Sequence, residues 1–571
     1  MKFLKEIEDI KKLTGIYFNL VTLLVTGNIS DVQAEADSRS TYWLRSCEKD
    51  TTSPVEGRLQ GTIPDWIEGR LIRVGPGIRH VGNTSYNHLF DPLAILHQVE
   101  IRNGRATYIS KFLESDAYEK NMKAQTIVVL GFGTAAFPDP CKTLFESFAM
   151  IFETPEMGDN CLVNILQATD QLIAMTETDT VRIINPSNLH VIGDGVRIPD
   201  YVSVERATAH PHVDKDGTIY NLAFLVTNKG PAYAITSHKN GHIQEASLEA
   251  VILARWKFYP SYMHSFVITE NYYVLLESPM TLNAGMMILA KYTGTVPAEA
   301  MTWFPEEKTR FRVIERSTGK EIDVEYLSDP FFTFHPINAF EHNGFLVVDV
   351  SAIASGDVFK ALYYDNLKKP YSDPTKFKFV SVATRYVLPL MNTPELPMGE
   401  ELLIDTPELH IIPEDSQIPT RIPSAKKVGE NVIDIKGVSI NDMFFEMPRI
   451  NYAFNGHQYR YAYGVGTAVQ SLDFSSIIKL DIKTGKELVW KDDDYFVSEP
   501  VFVANSSGEN EDSGVLLTLL LHRQEEEHHV LLILDAHDLK EIARSHFSIL
   551  GAATPTFHGQ FISFNDEVHG Y

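Results

Sequence analysis

The stretch IIKLDIKTGKELVW, Ile477 to Trp490, decides the fold class. A run of β-branched and leucine side chains meets the polar turn IKTG, and a second such run follows. Short hairpin loops need the Gly, Asn, Asp and Ser found in such turns, because these residues tolerate positive φ or hydrogen-bond their own backbone. The same design returns in VRIINPSNLHVIG (Val181 to Gly193), FRVIERSTGKEIDVEYL (Phe311 to Leu327) and LLILDAHDLKEIARSHF (Leu531 to Phe547). VEIRNGRATYISKF (Val99 to Phe112) adds a hairpin around an Asn-Gly pair. Hairpins along the whole length, with few long segments of 3.6-residue period, predict an all-β architecture. For one large chain the natural closed solution is a β-propeller, which hides strand edges by radial repetition.

No linker rich in Gly, Ser or Pro divides the chain. LPLMNTPELPMGEELLIDTPELHIIPEDSQIP (Leu388 to Pro419) is proline-rich and acidic, and reads as an irregular excursion from one domain. We therefore expect a variable extension over residues 1–54 and a single propeller domain over residues 55–571.

Composition narrows the function classes. The formal net charge of -25 gives no Lys/Arg surplus, which argues against nucleic acid and against broad adsorption to anionic lipid. Three cysteines, Cys47, Cys141 and Cys161, are too few for a disulfide framework and suit a reducing, cytoplasmic compartment. LTGIYFNLVTLLVTG (Leu13 to Gly27) is shorter than the roughly 20 apolar residues a membrane span needs. Mixed charges precede it, so it reads as a surface helix or extension, with a secretory signal peptide as the second reading.

PDPCKTLFESFAMIFETP (Pro138 to Pro155) breaks the β pattern. Leu144, Phe145, Phe148, Ile151 and Phe152 fall at helical spacing and give one bulky face. Such a face either packs on the propeller or dips into a membrane surface. Cys141 beside it is a candidate acylation site.

The chain has twenty histidines, so no single one is informative. His210 (TAHPH), His264 (SYMHSF), His335 (FTFHPIN) and His558 (PTFHG) nevertheless share a setting, each in or beside an apolar run next to Pro, Ser or Gly. The inner strands of a propeller face one axis, so histidines far apart in sequence can meet there. Imidazoles suit a divalent first-row metal without choosing among Zn, Fe, Cu and Ni. Glu177 (IAMTET), Glu446 (FFEMPRINY) and Glu499 (YFVSEPVFV) also lie in apolar runs, where an unpaired carboxylate costs roughly several kcal/mol. Metal-bound histidines commonly give their other N–H to a carboxylate. The residues alone leave two readings open: a supported metal site, or core histidines with scattered acids.

At these motifs the sequence resembles the carotenoid cleavage oxygenase family, which includes animal β-carotene dioxygenases, carotenoid isomerooxygenases and retinoid isomerohydrolases. The carriers are FPDPCK (137–142), TETDT (176–180), ATAHPH (207–212), PSYMHSF (260–266), FHPINAFE (334–341), FEMPRINY (445–452), FVSEP (496–500) and FHG (557–559), and the likeness runs from about Leu59 to the C-terminal TPTFHGQF. The resemblance implies a seven-bladed propeller with a helical and loop cap over Fe(II) on its axis. It implies His210, His264, His335 and His558 as ligands, Glu177, Glu446 and Glu499 as their supports, and His212 as a neighbour that does not ligate. It also implies a carotenoid or retinoid substrate, O2 as co-substrate, and the segment after PDPCK as a monotopic membrane patch. Splitting a C=C with O2 requires a redox metal with open positions, which zinc is not. No convincing nucleotide-binding or haem-attachment motif stands beside these residues.

Four positions depart from the family pattern: Asp91-Pro92 for Asp-Gly, Glu205-Arg206 for Asn-Gly, Val267 for a glycine after HSF, and Tyr220 to Gly230 lacking the usual glycines. They bear on substrate choice, since replacing glycine narrows a tunnel or stiffens a loop. The expected activity is cleavage of a β-carotene-like substrate to apocarotenals, including retinal. The alternatives are ester isomerohydrolysis on the same scaffold, and a binding protein without turnover.

Overall fold

The computed structural model describes residues 41–142, 158–169, 171–370, 373–391, 396–403, 405–467 and 474–564. The stretch that decided the fold class forms strands Ser476–Asp481 and Glu487–Lys491, paired antiparallel. Strands Leu93–Arg102 and Arg105–Phe112 enclose Asn103 and Gly104, both at positive φ (51° and 68°). That is the two-residue turn whose twist matches its strands. One expected hairpin differs. After strand Thr180–Ile184 the chain meets Val191 in a single bridge, and the pairing strand is Val196–Arg197. The NPSN turn spends its polar groups locally instead, with Asn185 accepting from Ser187 and Leu189.

Among the described residues the strands form seven blades, each a sheet of four to six strands, and two short ribbons. The first blade pairs Val55–Glu56, Arg105–Phe112, Leu93–Arg102 and Gly69–Ile78 with the last strand, Gly559–Ser563. Strand Arg58–Gly61 instead joins the seventh blade at Glu541–Ser548. The two ends of the propeller are thus interlocked, and the ring has no free first or last sheet. The fourth blade gains Ser424–Gly429 and Val432–Lys436 after the excursion, through a parallel pairing of Val432–Asp434 with Glu325–Leu327.

Central strands are covered on both faces by neighbouring blades. Strand Gly514–His522, GVLLTLLLH, is therefore apolar and buried almost throughout rather than alternating. Burying each such leucine contributes about 1.5–3 kcal/mol. Within the stretch ahead of residue 55, residues 41–54 pack on the propeller. Tyr42 stacks on Phe496 with ring centroids 4.1 Å apart, and Arg45 donates to the His522 and Ala553 carbonyls. Leu13 to Gly27 lies outside the described residues.

The helices are short. Asp116–Ala124, capped by Ser115, and Ala284–Thr293, capped by Asn283, stand with Pro297–Ala300, Val358–Ala361 and Tyr364–Leu367 beside the sheets. Residues of these helices or next to them, including Ala117, Asn121, Pro297 and Leu362, line the cavity described below. No helix among the described residues is long and apolar enough to cross a membrane.

Candidate metal centre

Each of the seven blades sends one singled-out residue inward, from a strand or from within three residues of one. In ring order from the first blade these are His558, Glu177, His210, His264, His335, Glu446 and Glu499. His210 sits where Pro211 interrupts the inner edge of its blade, between Arg206–Ala207 and His212–Val213. His558 precedes Gly559, where an added Cβ would lie 2.4 Å from the Ile72 carbonyl oxygen. Only glycine lets the closing strand approach this closely.

The four imidazoles converge. Ligand nitrogens of His210, His264 and His335 lie within 4.8 Å of one another. His558 Nε2 is 3.0 Å from His210 Nε2, and its ring centroid is 4.9 Å from that of His335. Carboxylates fix three of the rings. His335 Nδ1 donates to Glu446 Oε2 at 2.7 Å, His558 Nδ1 donates to Glu499 Oε1 at 2.8 Å, and His264 Nδ1 pairs with Glu177. Each pairing leaves Nε2 as the lone-pair nitrogen on the side of the cluster. His335 Nε2 is buried without a protein partner, as is His210 Nδ1. A buried imidazole nitrogen left unsatisfied is costly, and a cation shared by four Nε2 atoms gives His335 Nε2 its partner. The residues present therefore fit a divalent metal.

The carboxylates are held in turn. Tyr262 donates its hydroxyl to Glu177 at 2.6 Å, and Ser381 donates to Glu446 at 3.1 Å. Glu499 receives both arms of Arg449 at 2.8 and 3.0 Å and faces the fully buried Arg73 at 3.6 Å. Burial pushes the Glu499 carboxyl up, but Arg449, His558 and Arg73 outweigh it and hold the group well below the usual carboxylate range. Burial pushes His558 down to about 4 against the pull of Glu499. Burial and the neighbouring rings hold His210 well below its ordinary value. Burial thus favours the neutral form of His210 and of His558, the form that ligates.

His212 faces elsewhere. Its Nε2 donates to the Phe266 carbonyl at 2.9 Å and its Nδ1 pairs with Asn455 at 3.2 Å, so neither nitrogen is left for the cluster. Leu144, Phe145, Phe148, Ile151 and Phe152 lie outside the described residues. Cys141 is described, and its thiol is free and exposed. Several participants were not read from the sequence. Tyr262 and Arg449 stand inside the motifs PSYMHSF and FEMPRINY, but nothing local marks them as carboxylate partners. The helix Ala284–Thr293 was also missed. It exposes Ile288 (76%) and Leu289 (54%), beside Phe258 (74%), and the run AGMMILA was its available signal.

The cluster opens on a cavity lined largely by apolar side chains, among them Phe90, Phe132, Phe334, Phe379, Phe474 and Phe557. His264, His335, His558, Glu177 and Glu446 form part of its wall. Asp91 anchors one side. Its carboxylate accepts from the Phe132 and Gly133 amides and the Thr134 hydroxyl, which places Phe132 in the cavity wall. Burial nevertheless pushes the Asp91 carboxyl up to about 7.

Fold and site together define a seven-bladed propeller with an axial histidine cluster supported by carboxylates. The chain belongs to the family described as retinal pigment epithelial membrane protein, whose model matches residues 44–563. It is similar to a carotenoid isomerooxygenase of Drosophila melanogaster, 32% identical over 576 residues, with 91% of this chain and 93% of that one covered. It is also similar to a β,β-carotene 15,15'-dioxygenase of Mus musculus, 34% identical with 90% of each chain covered. The solved structure of cobalt-substituted Synechocystis apocarotenoid oxygenase shares the fold, with a TM-score of 0.71 at 20% identity, over 92% of this chain and 99% of that one.

Proposed function

We propose that this protein is an Fe(II)-dependent dioxygenase that cleaves a conjugated double bond of a β-carotene-like carotenoid. One C=C and one O2 become two C=O groups, so both oxygen atoms end in the apocarotenal products, with retinal among them. The observation that carries this reading is the histidine cluster opening directly on a cavity walled by aromatic side chains. His210, His264, His335 and His558 would hold the iron through Nε2. Bound there, iron supplies the redox chemistry that O2 requires and that no side chain provides.

The remaining work belongs to the chain. Glu177, Glu446 and Glu499 hold three ligand rings in one tautomer and orientation. The aromatic wall excludes water and positions a rigid polyene by dispersion and apolar burial. Exposed Phe258, Ile288 and Leu289 belong to segments joined to the cavity wall, with the Ala284 amide on the Phe258 carbonyl and the Leu282 amide on the Pro260 carbonyl, and suit a monotopic contact with a membrane, where such substrates dissolve. The apolar helical pattern at Leu144 to Phe152 would extend that contact, with Cys141 as its acylation site.

The test is chromatography of products after iron-loaded protein meets β-carotene in detergent under O2. A single aldehyde, retinal, marks central cleavage, and a cis fraction marks accompanying isomerisation. Two unequal aldehydes mark eccentric cleavage. No aldehyde product from iron-loaded protein, with β-carotene and with an oxygen-terminated carotenoid alike, overturns the proposal.

A further inference from the structure

The cavity is not uniformly apolar. Arg206, Thr176 and Thr178 line it together with Glu177, Tyr262 and His264, so one part of the wall is polar while phenylalanines dominate elsewhere. Arg206 is half-buried and projects from the inner edge of its blade, where its backbone pairs with Phe224. Its guanidinium lies 5.3 Å from the Phe224 ring centroid. Among the described residues it makes no hydrogen bond and no ion pair. The other arginines reaching the centre differ: Arg73 spends its donors on Thr556, Glu499 and Phe557, and Arg449 on Glu499 and Gly559.

An arginine carries five N–H donors and keeps its charge. Water can take the donors of this half-buried guanidinium, so a ligand that displaces that water from the apolar chamber has to supply an acceptor in its place. Thr176 lies in the same part of the wall, whereas the Thr178 hydroxyl is spent on the Thr180 carbonyl at 3.3 Å. Glu177 is nearby, so the region is close to neutral and suits an acceptor oxygen without requiring a full negative charge. Arg206 is also one of the departures from the family pattern, in the pair Glu205-Arg206.

We propose that Arg206 selects the substrate: it binds an acceptor oxygen at one end of the polyene, so that the preferred substrate is an oxygen-terminated carotenoid or apocarotenoid rather than a hydrocarbon with two apolar ends. This rests on the carotenoid reading above. The Arg206 donors fix one end of the chain against the polar wall, and that anchoring sets which double bond lies beside the histidines.

Binding tests it separately from cleavage. Quenching of tryptophan fluorescence, with Trp43 in the cavity wall, reports affinity for β-carotene, its dihydroxylated form, an apocarotenal and the matching acid. The full-length protein is expected to bind at least one oxygen-terminated polyene about tenfold or more tightly than β-carotene, the range of a hydrogen bond to a charged donor. Arg206→Met is expected to reduce that preference to about twofold or less, and Arg206→Lys to keep part of it. Equal affinity for the hydrocarbon, or a preference that survives Arg206→Met, overturns the assignment. If Arg206→Met fails to fold by thermal melting, Arg206→Gln, scored by the same preference, carries the comparison. A preserved preference with no cleavage on iron-loaded protein would remove the oxygenase reading and leave this one standing. Cleavage without any preference would do the reverse.

Discussion

His558 Nδ1 stands 2.8 Å from Glu499 Oε1, and this hydrogen bond joins the strand that closes the first blade to the seventh blade. Glu499 also holds Arg449 and faces Arg73, so one carboxylate serves the candidate metal centre and the closure of the ring. Glu499→Ala is expected to lower stability by about 3–5 kcal/mol, because it leaves the fully buried Arg73 without its counter-charge. It is also expected to weaken iron affinity about 10–100-fold. Urea unfolding and iron titration measure the two effects. An unchanged unfolding midpoint would refute the closure role.

Of the two histidines of TAHPH, only His212 is expected to fall outside the ligand set, as comparison with a cluster histidine, His335, will show. His335→Ala removes an Nε2 from the cluster and should abolish iron loading and turnover. His212→Ala breaks only the hydrogen bonds to Phe266 and Asn455, and should retain iron. Metal content after loading decides. An empty site in His212→Ala would overturn the ligand assignment.

Buried histidines away from the cluster make the fold acid-sensitive. Burial pushes His88 and His97 down to about 3, from 6.5 when unfolded. Between those values the unfolded chain binds more protons, so stability rises with pH and is lost as pH falls below 6.5. His97→Gln removes one such proton. It is expected to flatten the stability-versus-pH slope near pH 5.5 by about 1.2 kcal/mol per pH unit. Urea unfolding across pH 5–7 checks this, and an unaltered slope would show that His97 is protonated in the fold.

The exposed apolar surface is expected to carry membrane contact. The pair Ile288→Asp and Leu289→Asp should lower co-sedimentation with phosphatidylcholine vesicles about tenfold or more, from lost apolar burial. Phe145→Asp with Phe148→Asp tests the segment beside Cys141 in the same assay. Full retention by both double variants would mean that neither surface docks on lipid.

The sequence by itself determined the local elements and the chemistry available to the centre. Asn103-Gly104 and the IKTG turn specify hairpins because turn conformation is set by a few adjacent residues. His335, Glu446 and Glu499 drew notice because polar groups inside apolar runs need partners. Which partner each one takes depends on the closed ring. Glu177 comes from the second blade yet supports His264 of the fourth, and His558 of the first blade pairs with Glu499 of the seventh. His210 and His212 lie two residues apart, and the break at Pro211 sends one to the axis and the other to Phe266. Tyr262, Arg449 and Arg206 gained meaning only once the blades converged. Periodicity and turn chemistry act over a few residues, whereas convergence is set by hydrogen-bonded sheets closing around an axis, which brings together groups hundreds of residues apart.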